Sequence, residues 1–202
     1  MDEYNDLPQG GEETEEEQEP RRPGAGLYEW LQLFLGCVVI AVVLFNCVAR
    51  LTRVDGPSME NTLRDGEIMI IWSLGYTPKQ GDIVVVNKTP VVLTGWTGPR
   101  AIIKRVIATG GQTVDIDYNA GAVYVDGQRL DEPYIKEEMY LPYSSTMLQT
   151  HWEVPEGSVF IMGDNRNNST DSRDERVGTI DSGYILGKAV LALWPLDRFG
   201  AA

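Results

Sequence analysis

Residues 27–49 read LYEWLQLFLGCVVIAVVLFNCVA, and this stretch decides how the rest of the chain is organised. From Leu31 to Val48, eighteen residues carry no charge, and Gln32 and Asn46 are their strongly polar members. At 1.5 Å per residue they form a helix roughly 27 Å long, close to the hydrocarbon thickness of about 30 Å. Tyr28 and Trp30 lie at one end, where an aromatic belt meets the headgroups. The spacing predicts a membrane-spanning helix over 27–49. A cleavable leader has a shorter apolar region close to the N-terminus, with small residues at a cut site. Here the run begins late and is followed by Arg50, Leu51, Thr52 and Arg53. Eighteen uncharged residues without a polar stripe also argue against a buried core helix. Arg21 and Arg22 on one side balance Arg50 and Arg53 on the other, so positive charge does not choose an orientation.

Upstream, residues 1–26 hold nine Asp or Glu and two Arg, with almost nothing apolar to bury, and read as a disordered acidic tail. Of the net charge of −13 over 202 residues, −7 sits in this tail, leaving −6 for the other 176 residues. A chain of this sign lacks the positive face that nucleic acid requires, so no nucleic-acid partner is expected. Cys37 and Cys47 are ten residues apart in the apolar helix. That spacing is about 15 Å along the axis, beyond the roughly 7 Å between Cα atoms that a disulfide allows. With no other cysteine and a single histidine, a Cys/His zinc site is excluded, and neither metal nor cofactor is expected.

Downstream, residues 50–202 break into short apolar runs separated by Gly, Pro, Asp and Asn. Glu67–Trp72, Asp82–Asn87, Ala101–Ile107, Thr113–Asp117, Ala122–Val125, Ser158–Met162 and Tyr184–Leu193 read as strands. Asn119-Ala120-Gly121 and Asp126-Gly127 supply turn residues. No helical periodicity of useful length follows residue 54. The fold class is therefore mainly β: a single N-terminal transmembrane helix followed by a folded-over or barrel-like sheet.

Three features could carry chemistry. On a strand, Ile102, Lys104 and Val106 share one side and Ile103, Arg105 and Ile107 the other. A lysine between branched apolar neighbours loses hydration, and its pKa falls toward a neutral amine that can accept a proton. By periodicity alone, however, Lys104 reads as an edge lysine snorkelling to water. Ser58 follows Gly56-Pro57, which can form a tight turn with room for a substrate carbonyl, but a serine needs a base within reach. His151, in Thr150-His151-Trp152-Glu153, has nothing around it to suggest a Ser-His-Asp triad and reads as a surface or loop residue. Gly163 to Arg173 is a dense polar loop following an apolar strand, with Asp164, Asp171 and Asp174 too widely spaced for a calcium loop.

In this order, these segments resemble the type I signal peptidase family, bacterial membrane-bound serine proteases with a Ser–Lys dyad. Ser58-Met59 with Thr62-Leu63 resembles the nucleophile box, Gly81-Asp82-Ile83-Val84-Val85-Val86 the next strand box, and Lys104-Arg105-Val106-Ile107 the box bearing the lysine base. Gly163-Asp164-Asn165 through Ser169, Asp171, Ser172 and Arg173 is similar to the last box. Val123-Tyr124-Val125-Asp126-Gly127, Leu130 to Tyr134 and Trp194-Pro195-Leu196 also look familial. Asn61 stands where the family commonly has proline, and Thr109-Gly110-Gly111-Gln112 departs from the usual Pro-Gly-Asp.

The resemblance implies an antiparallel β catalytic domain in which Ser58 attacks the scissile carbonyl and neutral Lys104 takes its proton. It also implies that Ser169 hydrogen-bonds and orients the lysine, that Asp171 and Arg173 brace the site, and that the Ser58 N–H forms part of the oxyanion hole. Gly56 has no hydroxyl to act as a second donor. The implied substrates are secretory preproteins cut after small residues at an A-x-A-like site, beside the lipid bilayer and near the export translocon. The implied location is the bacterial plasma membrane, single-pass, with the N-terminus cytoplasmic and the catalytic domain outside. A Ser–Lys self-cleaving repressor would need a DNA-binding domain in place of the span. An anchored binding domain would be expected to lack Ser58 or Lys104.

Overall fold

The computed structural model describes residues 25–87, 101–142 and 145–201. The tail over 1–26 lies outside them except for its last two residues, which open the helix. Helix α1 runs Ala25–Cys47, and its large apolar side chains from Leu27 to Leu44 are exposed. Its segment Gly26–Leu44 is long and apolar enough to cross a membrane. The helix stops short of residue 49 because Ala49 already opens strand β1 (Ala49–Arg53), whose backbone groups pair with a neighbouring strand instead of continuing the helical ladder. The chain divides into two compact units, one ending at Ala41 and one beginning at Val42.

The second unit is antiparallel β. After β1 come β2 (Ile68–Trp72), β3 (Ile83–Val86), β4 (Ile102–Thr109), β5 (Thr113–Asp117), β6 (Ala122–Val125) and β7 (Gln128–Arg129). They are followed by β8 (His151–Glu153), β9 (Ser158–Met162), β10 (Ile180–Asp181), β11 (Ile185–Trp194) and β12 (Gly200–Ala201). The larger sheet is a curled half-barrel in the order β1-β2-β11-β3-β4-β9-β10, with β12 paired to β11. A smaller sheet has the order β7-β6-β5-β8. Asp126 and Gly127 both take positive φ, 50° and 76°, as a two-residue hairpin between β6 and β7 demands.

Three apolar clusters hold these strands. Val114, Ile116, Val123 and Val125 of the small sheet meet Ile107, Ala108, Phe160 and Met162 of the large one. The Trp152 and Phe160 rings close that layer with centroids 4.9 Å apart. A second cluster matters more for the site: Met59 and Leu63 pack with Met69, Ile71, Ile83, Val85, Ile103, Ala189 and Ala192. Burying side chains of this size contributes about 1.5–3 kcal/mol each. Val54 before residue 58 and Met59 and Leu63 after it thus plug the turn into the core. A third cluster, built on Val84, Val86, Val106, Val159 and Ile161, also takes in Val177 and Ile180.

Candidate active site

Ser58 sits on a turn whose shape is set locally. Gly56 takes φ +90°, open to a residue without Cβ, and donates its N–H to Asp65 Oδ1 at 2.9 Å. Glu60 N–H then closes on Pro57 O at 3.1 Å, and Leu63 N–H on Met59 O at 2.8 Å. Asn165 grips the turn from the polar loop: its backbone N–H donates to Ser58 O at 3.0 Å and its Nδ2 to Pro57 O at 3.0 Å. No described residue accepts the Ser58 N–H.

Lys104 lies on β4, which runs between β3 and β9 in the interior of the sheet, so the edge-lysine expectation is wrong. The side chain has no edge from which to reach water, and the residue is 3% exposed. Its Nζ is 2.7 Å from Ser58 Oγ and donates to Ile103 O at 2.9 Å. Burial lowers its pKa to about 8; Arg173 pushes the same way, while Asp171 and Asp164 oppose it. At pH 7 about one molecule in ten therefore carries a free amine whose lone pair can accept the Ser58 hydroxyl proton.

The polar loop backs this pair. Asp171 takes three hydrogen bonds from Arg173, from Nε at 2.8 Å, Nη2 at 2.9 Å and the backbone N–H at 3.3 Å, and one from Gly163 N at 2.9 Å. Burial alone would raise the Asp171 pKa, but the Arg173 guanidinium and these donors hold it below the usual carboxylate value. Gly163 has to be a glycine, because a Cβ there would lie 2.5 Å from Ser58 O and collide with Ser169 Oγ. The implied bond from Ser169 to the lysine is absent. Lys104 Nζ meets Ser58 Oγ and Ile103 O, while the Ser169 hydroxyl helps to lower the Asp171 pKa.

Several residues that frame the site were given no role by sequence reasoning. Arg105, the neighbour of Lys104, forks onto Asp164 at 2.8 and 2.7 Å, donates to Gly81 O at 2.8 Å, and stacks 4.0 Å from the centre of the Tyr134 ring. Thr62 Oγ1 donates to the same Asp164 at 2.5 Å. Arg166 and Glu132 form a second buried fork. Arg198 Nε lies 2.7 Å from the buried Glu67, and its Nη2 donates to Thr62 O at 2.8 Å. Arg105, Asp164 and Thr62 stand inside the quoted boxes, so the signal lay in charged residues flanking the lysine and the polar loop. His151 is exposed on β8, a strand residue instead of a loop one, with Nδ1 2.6 Å from Asp115 Oδ1 and no contact with Ser58. Among the described residues no group of three His, Cys, Asp or Glu side chains could hold a metal ion.

Residues 27–194 match the family described as signal peptidase, peptidase S26. The chain is therefore a serine peptidase, a hydrolase of peptide bonds. More particularly, the chain belongs to the signal peptidase family. It is 36% identical over 182 residues to the probable signal peptidase I-1 of Synechocystis, covering 88% of each chain. It is 32% identical over 193 residues to signal peptidase I of Bacillus amyloliquefaciens, covering 89% of this chain and 95% of that one. With signal peptidase I of Mycobacterium tuberculosis it shares 30% identity over 220 residues, 86% of this chain and 74% of that one.

Proposed function

We propose that this chain cleaves signal peptides from exported preproteins after small residues at an A-x-A-like site, with Ser58 as nucleophile and Lys104 as general base. The observation that carries this reading is the 2.7 Å contact between Lys104 Nζ and Ser58 Oγ, in a buried setting that brings the amine's pKa down to about 8. In the neutral form, Ser58 O–H donates to Nζ; as Oγ bonds to the scissile carbonyl carbon, the proton passes to the amine. The Ser58 N–H is one donor for the developing oxyanion. Collapse breaks the C–N bond, Lys104 returns its proton to the leaving amine, and an acyl-enzyme remains on Ser58. The mature protein departs with that amine, and Lys104 then activates a water that hydrolyses the acyl-enzyme and releases the signal peptide. Asp171 and Arg173 hold Gly163, and through it the wall behind Ser58.

Helix α1 supports an anchored protein working at the lipid surface, close to where an exported chain leaves the translocon. We assign the N-terminus to the cytoplasmic side and the β unit to the outside of the bacterial plasma membrane. The test is cleavage of a preprotein bearing an A-x-A site by the full chain in detergent micelles, with the cut located by mass spectrometry. Wild type cuts after the small residue, and Ser58→Ala and Lys104→Ala do not. Its kcat/KM rises about tenfold per pH unit up to about pH 8 and then levels, as Lys104 loses its proton. Cleavage that persists in Lys104→Ala would sink the lysine-base mechanism.

A further inference from the structure

Asn61, the residue that replaces proline in the nucleophile box, does something proline could not. Its φ is +88°, in the left-handed region that asparagine tolerates better than most side chains. A proline ring fixes φ near −65° and cannot adopt this turn. The carboxamide is also engaged: Nδ2 donates to Tyr134 O at 3.1 Å and approaches Ile135 O at 3.4 Å. The segment that supplies these carbonyls is itself fixed to the rest of the site. The Tyr134 ring lies under Arg105, next to Lys104; Glu132 pairs with Arg166; and Lys136 N–H donates to Asp164 O at 3.0 Å. The side-chain amide of Asn61 is thus a direct tie from the Ser58 turn to a strap that already grips the lysine strand and the polar loop.

Resting on the reading of Ser58 and Lys104 given above, we infer that Asn61 is a positioning residue: its amide clamps the turn to the 134–135 carbonyls and so keeps Ser58 Oγ in line with Lys104. Two requirements meet at this position, a left-handed backbone and a short donor of two hydrogens. Glycine meets the first alone. Aspartate accepts the backbone but has no hydrogens to donate.

The test measures kcat, KM, the pH-rate profile and the melting temperature of the full chain in detergent micelles, with one preprotein substrate. Asn61→Gly and Asn61→Asp lower kcat about three- to tenfold, the worth of a lost hydrogen bond, with KM within about twofold and the acid limb still near pH 8. Asn61→Pro, although it restores the family residue, loses more activity and melts lower. Asp115→Asn, which cuts the exposed pair to His151 on the small sheet, keeps kcat within about twofold. Wild-type kcat in Asn61→Gly overturns the clamp, as does a fall in melting temperature with no change in kcat. An unimpaired Asn61→Pro overturns the backbone argument, and an equal loss in Asp115→Asn overturns the assignment to Asn61. Ser58→Ala run alongside separates these failures from failure of the nucleophile reading, because activity in that variant refutes the reading itself.

Discussion

Replacing Lys104 with methionine, an apolar side chain of similar length, should abolish cleavage and yet stabilise the protein at neutral pH. Burial lowers the lysine pKa from 10.5 to about 8. At about 1.36 kcal/mol per pH unit, that gap amounts to about 3 kcal/mol of cost for keeping the ammonium in place. The folded pKa lies below the unfolded one, so between about 8 and 10.5 the unfolded chain binds a proton that the folded chain does not. Wild-type stability therefore rises with pH across this window, and below pH 8 the whole cost is present. Lys104→Met escapes it, being about 3 kcal/mol more stable at pH 7 and losing that advantage above about pH 10.5. Guanidinium unfolding of the full chain in detergent micelles, followed by tryptophan fluorescence at the two pH values, measures the difference. A variant no more stable than wild type at pH 7, or equally advantaged at both, would refute the reasoning.

Two further outcomes follow from the residues behind the pair. Gly163→Ala places a Cβ 2.5 Å from Ser58 O, so the Ser58 turn has to move. Its kcat/KM should fall at least tenfold, roughly the effect of a small misplacement at the reacting groups, with a destabilisation of about 1–3 kcal/mol seen in thermal unfolding. Asp171→Asn leaves Arg173, 1% exposed, without its counter-charge. It should cost about 3–5 kcal/mol of stability in chemical denaturation. Asp171 also raises the Lys104 pKa, so in this variant the acid limb of kcat/KM should move below pH 8.

The strands β5, β6 and β9 match the expected segments residue for residue, because each is a short run with alternating or continuous apolar character between clear turn residues. Strand β1 was not legible: Ala49–Arg53 alternates weakly, with Arg50 and Arg53 reading as the polar flank of a span. Nor were β7, β8, β10 and β12, pairs or triplets of residues that are strands only because a partner lies alongside. For the site, resemblance singled out Ser58 and Lys104, which the fold brings within 2.7 Å, but local periodicity alone would have sent the lysine to solvent. Its burial depends on β4 lying between β3 and β9, and the β9 side pairs Arg105 with Met162 and Thr109 with Val159, separations that no local window of sequence contains. The same holds for the Asp164 fork and for the tie between Asn61 and the Tyr134 carbonyl, each of which joins residues distant in the chain. Ser169 was expected against the lysine and is not bonded to it, since sequence does not say how a flexible amine distributes its contacts.

The place of β11 in the sheet order has a consequence for how the enzyme is made. Ser58 lies on the connection between β1 and β2, whereas Lys104 belongs to β4, and β11 is the strand between these two pieces of sheet. Until residues 185–194 have been synthesised and have threaded between β2 and β3, the halves of the larger sheet share no backbone ladder. Closing so long a loop is slow and entropically costly. A nascent chain that has delivered both the serine and the lysine therefore still holds them on separate hairpins. The contact between Ser58 and Lys104 forms late in biosynthesis, and a half-made copy lacks it.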